Sequence, residues 1–307
     1  MPSPTHHPAK GPPTAGPPDL LLLNARVLTL EPEQPRAEAV AVRGRHIVAA
    51  GRRADVAPLA GAGTRTIDCQ GMSLLPGFVD AHCHLLALAA SLQGLDCGPE
   101  AVSNMEGLRR AVRRRAEETP QGRWVRGFGY DDLALAEGRH PTRWDLDRAA
   151  PGHPVRLDHR SGHATVLNSP GLRLAGIHRD TPDPVDGVID RDEASGEPTG
   201  LLLEMGGFLG ERLGRLRSDV ELAEGIARLD RKLLSYGITS VQDAGPDNGL
   251  TRWDAFRDLQ ASGGLRCRVT MLAGASHLDD FLDEGRCWGD GGEWLRLGHA
   301  KVMLTLT

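Results

Sequence analysis

LLPGFVDAHCHL, residues 74–85, is an apolar strand candidate that ends in two histidines one residue apart. Side chains alternate along a strand, so Asp80, His82 and His84 are expected on one face and Val79, Ala81 and Cys83 on the other. Two imidazoles spaced in this way can share one divalent cation. An isolated H-x-H also arises by chance, with both rings merely capping a strand. Here a Pro-Gly-Phe and an all-β segment precede the pair and weigh against chance. Cys83, on the opposite face, reads as a small packed hydrophobe rather than a thiolate ligand.

Upstream, residues 19–72 carry short β-type runs (DLLLLNARVLTL, AEAVAVRGRHIVAAG, TRTIDCQGMSLLPGF) separated by Pro, Gly and charged clusters, which predicts a small β-sandwich unit. Downstream, strand candidates at 74–84, 124–130, 154–158, 238–243, 266–272 and 300–306 alternate with helical patterns at 104–118, 219–236 and 251–261. Tyr236-Gly237 supplies the glycine that a helix C-terminus favours. This alternation predicts an α/β fold of repeated βα units, with 73–307 expected to be the N-terminal part, about the first half, of a (β/α)₈ TIM-type barrel. His82 and His84 then fall at the C-terminal end of its first strand, where active sites of such barrels are built. A stretch at 177–199, rich in Asp, Pro and Gly, is expected as a loop or hairpin over the barrel mouth.

Composition narrows the function classes. A net charge of -5 with no basic stripe gives no electrostatic reason to hold nucleic acid. Apolar runs such as Leu20 to Leu23 are far shorter than the roughly 20 residues that span a bilayer, so no membrane role is expected. Five scattered cysteines without a C-x-x-C pair argue against a disulfide framework and fit a reducing cytoplasm. Residues 1–18 hold seven prolines and read as a disordered tail, so His6 and His7 within it are not ligand candidates.

The lysines are informative because they are rare. Of 36 basic residues only Lys10, Lys232 and Lys301 are lysines, and Lys301 sits inside the apolar run HAKVMLTLT. A lysine held neutral by burial can react with carbon dioxide to form a carbamate, which a guanidinium cannot do. A lysine snorkelling from a strand end is the equal alternative on composition alone.

Together with the histidine pair, RWVRGFGYDD (123–132), EGRHPTRWDLD (137–147), SGHATVLNS (161–169), LAGI (174–177), DPVDGVIDRDEASGEPTGLLLE (183–204) and GITSVQD (237–243) give the sequence a specific resemblance. From residue 19 to its last residue the chain resembles the amidohydrolase superfamily, in its amidohydrolase family 3 branch, which includes N-substituted formamide deformylases. The resemblance implies a hydrolase holding one or two divalent metal ions, zinc foremost, at the mouth of a (β/α)₈ barrel. It implies His82 and His84 as metal ligands and Lys301 as a carboxylated, metal-bridging lysine. One departure is visible: members often continue with Asp-Gly soon after that lysine, whereas here VMLTLT follows.

By the same resemblance, His163 is a pocket residue that could contact substrate, or a structural histidine. Asp80, Glu204 and Asp243 either stand behind the ligands and orient them or cap adjoining elements. Tyr130, Asp131 and Arg143 match family positions but serve equally well to hold their loop together. His46, His140, His153, His159, His178, His277 and His299 read as surface or packing residues.

A complete barrel of this type uses about 250 residues. The strand candidates reach only the Lys301 strand, about halfway round, and no later histidine motif or terminal aspartate follows. The expectation is therefore the N-terminal part of a longer enzyme cleaving a C–N bond of an amide or N-substituted formamide. A cyclic amidase or deaminase on the same fold is the enzymatic alternative. A non-catalytic remnant, inactive, poorly soluble or dependent on a partner, is the alternative from another class. A small-molecule substrate is expected, and a homo-oligomer is compatible with the sequence.

Overall fold

A computed structural model describes residues 16–213 and 219–303. The expected tail before residue 16 and the end of the HAKVMLTLT run, 304–307, lie outside the described residues. The chain divides into two compact units, residues 1–78 and 79–307.

The first unit holds two small sheets. One has the order β5-β4-β1-β6, formed by β1 (Leu20–Leu23), β4 (Ala39–Arg43), β5 (His46–Gly51) and β6 (Arg65–Asp68); the other, β3-β2-β7, uses β2 (Arg26–Leu28), β3 (Arg36–Ala37) and β7 (Ser73–Leu74). Val40, Val42, Ala50 and Ile67 of the first sheet share an apolar cluster with Val27, Ala37 and Leu74 of the second. A short helix, α1 (Arg53–Val56), places Val56 in the cluster formed with Leu21, Ala39 and Ala41.

In the second unit the histidine strand is β8 (Phe78–Cys83), followed directly by α2 (Leu85–Ser91). Next come β9 (Leu95–Asp96), α3 (Met105–Glu117), β10 (Val125–Tyr130), α4 (Arg143–Ala149), β11 (Val155–His159), β12 (Ala164–Leu167), α5 (Ser169–Leu174), β13 (Val188–Arg191) and β14 (Pro198–Leu203). The remainder is α6 (Gly206–Leu213), α7 (Asp219–Ser235), β15 (Ile238–Asp243), α8 (Leu250–Ala261), β16 (Arg268–Gly274), α9 (Leu278–Asp283) and β17 (Leu295–Lys301).

These strands form two sheets. The β17-β16-β15-β8 sheet runs parallel through β15, β16 and β17. Cys83, Val241, Val269, Met271, Leu295 and Leu297 from its strands pack with Leu85 and Ala89 of α2, Ile226 and Leu229 of α7, Trp253 and Phe256 of α8 and Phe281 of α9. Burial of large apolar side chains here contributes about 1.5–3 kcal/mol each before chain entropy is set against it. Gly237, at φ +73°, ends the α7 segment as the Tyr236-Gly237 reading predicts.

The second sheet, β13-β14-β12-β11-β10-β9, is mixed. β9, β10 and β11 run parallel, whereas β12, β13 and β14 join through antiparallel pairs. α3 packs against this sheet with Met105, Leu108, Val112 and Ala116 at three- and four-residue spacing, all buried. Its first turn is capped by Asn104, whose Oδ1 accepts the Gly107 N–H at 2.8 Å.

The α/β class stands, but a single half-barrel does not describe what is seen. The candidates at 124–130 and 154–158 lie in the mixed sheet, apart from the sheet carrying His82, and no closed barrel forms among the described residues. The physical reason lies at residues 160–163: so short a connection joins β11 to β12 only antiparallel, whereas a barrel strand needs a crossover of a dozen residues or more. The 177–199 stretch does contain a hairpin strand, β13, and that strand is not purely superficial: Ile189, 2% exposed, packs in a core cluster with Leu202 of β14, whereas Val185 before it is 98% exposed. The strand expected at 300–306 begins earlier, at Leu295, which places Lys301 at its C-terminal end.

Candidate metal centre

His82 lies near the end of β8, and His84 stands at the N-cap of α2, where strand turns into helix. Their rings stack with centroids 5.4 Å apart and planes 28° from parallel. Both imidazoles are exposed, whereas Cys83 between them is buried in the helix-covered core. Burial pushes the Cys83 thiol up to about 11, so it stays protonated, as the packed-hydrophobe reading requires. Asp80 folds back beneath the pair: its Oδ1 accepts the His82 N–H at 3.0 Å.

The fixed point of this corner is Asp243, at the end of β15 and 2% exposed. Its Oδ2 accepts the Leu85 N–H at 2.7 Å. Its Oδ1 accepts from Gly245 N–H at 3.1 Å and from Asn248 Nδ2 at 2.7 Å. Ala244 N–H adds a bond to the Cys83 carbonyl at 2.8 Å. Asn248, itself fully buried, also donates to the Leu272 carbonyl at 3.0 Å. Three strand ends, those of β8, β15 and β16, are thus tied at the residue following His84.

Partial desolvation lowers the pKa of His84, helped by the nearby His82, Lys301 and Arg252 and opposed by Asp243. The ring is therefore neutral at neutral pH and has a lone pair to offer. Lys301, at the end of β17 and opposite Gly274 of β16, is close enough for its charge to act on His84. The structure thus gathers His82, His84, Lys301 and Asp243 at the C-terminal edge of one parallel sheet. An N-donor pair, a lysine and a buried carboxylate behind them match the donor chemistry of a divalent-ion site.

His163 and Glu204 belong to the other sheet. His163 precedes β12, Glu204 follows β14, and the His163 Nδ1 lies 2.8 Å from Glu204 Oε1. Glu204 N–H also bonds the His163 carbonyl at 2.8 Å, with Glu204 in the left-handed region at φ +55°. Arg143, at the start of α4, reaches Glu197 Oε2 at 3.4 Å and so ties α4 to the loop before β14.

One cluster escaped the sequence reading. Tyr130, Asp131, Asp132, His140 and His159 converge where β10 and β11 end. The visible signal was the Asp-Asp pair immediately after a strand, but no spacing tied the two histidines to it.

A cavity of about 590 Å³, lined by Trp253, Arg257, Arg286, Trp294 and Leu295 among others, lies toward the N-terminal end of β17, away from the histidine pair. No helix among the described residues is long and apolar enough to cross a membrane.

Residues 65–306 match the amidohydrolase family, and the chain belongs to that family. It is 33% identical over 274 residues to N-substituted formamide deformylase of Arthrobacter pascens, covering 87% of this chain and 50% of that protein. It is 30% identical over 295 residues to Protein LONG AFTER FAR-RED 3 of Arabidopsis thaliana, covering 93% of this chain and 50% of that one. The crystal structure of an uncharacterized metal-dependent hydrolase from Pyrococcus furiosus matches at a TM-score of 0.65 and 26% identity, over 92% of this chain and 55% of the other. The chain spans about half the length of the curated relatives it matches.

Proposed function

We propose that the protein to which this chain belongs hydrolyses the C–N bond of a small amide, an N-substituted formamide being the leading substrate class, with the help of a divalent metal ion, zinc foremost. The observation that carries this reading is the stacked His82/His84 pair on a parallel strand edge, with Lys301 ending a strand of the same sheet. The deformylase relative supplies the substrate class.

His82, His84 and Lys301 would hold the ion, Lys301 through its carbamate. When bound, such an ion supplies Lewis acidity toward a carbonyl and a hydroxide-like nucleophile near neutral pH. The neutral His84 ring presents a lone pair without first losing a proton. Asp80 and Asp243 fix the main chain on either side of the pair, at His82 and at Leu85, so the two rings keep their separation. Glu204 holds Nδ1 of His163, which turns Nε2 outward as a polar contact for substrate. The reaction consumes one water per formamide and releases an amine and formate.

The test is zinc content and formate release for the purified protein and its His82→Ala/His84→Ala variant. Loss of bound zinc together with loss of formate production supports the assignment. Unchanged zinc in the double variant rejects these ligands, and retained zinc-dependent binding without formate release from any N-substituted formamide rejects the substrate class.

A further inference from the structure

Arg252 stands in the first turn of α8, the helix that follows β15, and so at the C-terminal edge of the sheet that carries His82, His84 and Lys301. Its charge is felt at the His84 ring. Loops at this edge of a βα fold are where substrates are met. Nothing in the hydrolysis of a neutral formamide calls for a cation here.

The guanidinium is held from below. Its Nη1 lies 3.0 Å from the point that a Cβ on Gly245 would occupy, so the group rests over the residue whose N–H bonds Asp243 Oδ1 at 3.1 Å. Nη1 donates to Asn248 Oδ1 at 3.3 Å. Asn248 is fully buried and gives its own amide hydrogens to Asp243 Oδ1 at 2.7 Å and the Leu272 carbonyl at 3.0 Å, so this acceptor is as fixed as the corner itself. A guanidinium anchored in this way loses less side-chain freedom when it takes hold of a ligand.

Much of the group is left over. Nη2 donates to Asp247 Oδ2 at 3.1 Å, and the other N–H groups of Arg252 meet no acceptor among the described residues. Asp247 is 72% exposed and Arg252 33%, so water screens the pair and the carboxylate neutralises the guanidinium only weakly. The buried carboxylate nearby, Asp243, is already occupied by the Leu85 and Gly245 amides and by Asn248. No acidic side chain stands in the first turn of α8.

A part-exposed, pre-positioned guanidinium with free planar donors suits a carboxylate gripped by two N–H groups. A neutral formamide has nothing to place there, whereas the formamide of an amino acid carries a carboxylate on the carbon next to its amide nitrogen. We infer that Arg252 determines specificity by binding a carboxylate on the N-substituent of the substrate, which narrows the substrate class to N-formyl amino acids. The inference rests on the C–N hydrolase reading proposed above, with the histidine pair toward the amide and Arg252 toward the substituent.

The experiment uses a pair of compounds that differ only in the carboxylate, N-formylphenylalanine and N-phenethylformamide. Equilibrium binding to the zinc-loaded protein is measured by calorimetry, and formate release gives kcat and KM. Wild type should bind the carboxylate compound about 10-fold or more tighter than the neutral one. Arg252→Gln should remove that preference, raising Kd and KM for N-formylphenylalanine about 10- to 100-fold while kcat and the affinity for N-phenethylformamide stay within about 2-fold. Arg252→Lys, which keeps the charge but not the fork, should fall between the two. Asp247→Asn, a surface change that removes the competing carboxylate, should tighten binding of N-formylphenylalanine. Equal affinity of wild type for the two compounds, no binding of either, or an equal loss for both in Arg252→Gln overturns the assignment. Carboxylate-selective binding without formate release leaves Arg252 standing and rejects the deformylase reading; formate release without a carboxylate preference does the reverse.

Discussion

The Asp243 carboxylate accepts the Leu85 amide at 2.7 Å across 158 positions of sequence, so the end of one strand is clamped to the residue that follows His84 in another. Asp243 has no cation against either oxygen in these bonds; backbone amides and Asn248 satisfy it. Such an anion is stabilised by the amide at the first turn of α2, where the helix end carries partial positive charge.

Asp243→Asn replaces one accepting oxygen with a donor facing donors. Leaving buried N–H groups unpaired costs about 1–3 kcal/mol, so the variant should melt at lower temperature and bind zinc more weakly than wild type. Equal melting temperature and equal zinc affinity would show that the clamp does not position His84.

Gly274 ends β16, and a Cβ there would meet the Pro246 carbonyl oxygen at 1.9 Å. Neither backbone can yield without breaking the corner that Asn248 ties, since Gly274 N–H bonds the Asn248 carbonyl at 2.9 Å. Gly274→Ala should cost roughly 1–3 kcal/mol in chemical denaturation. A neutral effect would mean that this loop is looser than the structure shows.

Asp145 carries an acid-sensitive contribution. Burial alone would raise its pKa, but hydrogen bonds from Arg139 and from the Thr142 amide and hydroxyl outweigh that and hold it below the ordinary value. A depressed folded pKa stabilises the fold above the unfolded value of about 3.9, and the contribution disappears as pH falls through the folded one. Wild type should therefore lose stability below about pH 4 more steeply than Asp145→Asn, which starts lower at pH 7. Parallel pH profiles for the two proteins would contradict this.

Glu204 sits at φ +55°, a conformation glycine adopts freely and other residues occupy at about 1–2 kcal/mol. Its ion pair with His163 is largely exposed, 58% and 70%, and so adds little to stability. Glu204→Gly should leave the melting temperature equal or higher while reducing formamide hydrolysis. A large loss of stability would assign the pair a structural role instead.

Much of the parallel sheet was legible in the sequence because its signals are local. Alternation placed His82 opposite Cys83, and the 238–243 strand has the bounds the apolar run predicts. The Lys301 strand is placed too late by the sequence because the six residues before the lysine, LRLGHA, carry an arginine, a glycine and a histidine; pairing with β16 and the packing of Leu295 and Leu297 under the helices make them a strand. Division into two sheets was not legible, since partner choice among strands is a tertiary matter. The same holds for His140 and His159: lying 10 and 29 residues beyond Tyr130, they meet only because β10 pairs with β11 and the 131–140 loop turns back.

Zinc content of the purified protein, with and without His82→Ala/His84→Ala, tests the central claim most directly. The account predicts that the double variant loses about one equivalent of zinc relative to wild type while its fold, read by far-ultraviolet circular dichroism, is unchanged. Identical zinc content in the two proteins would contradict it.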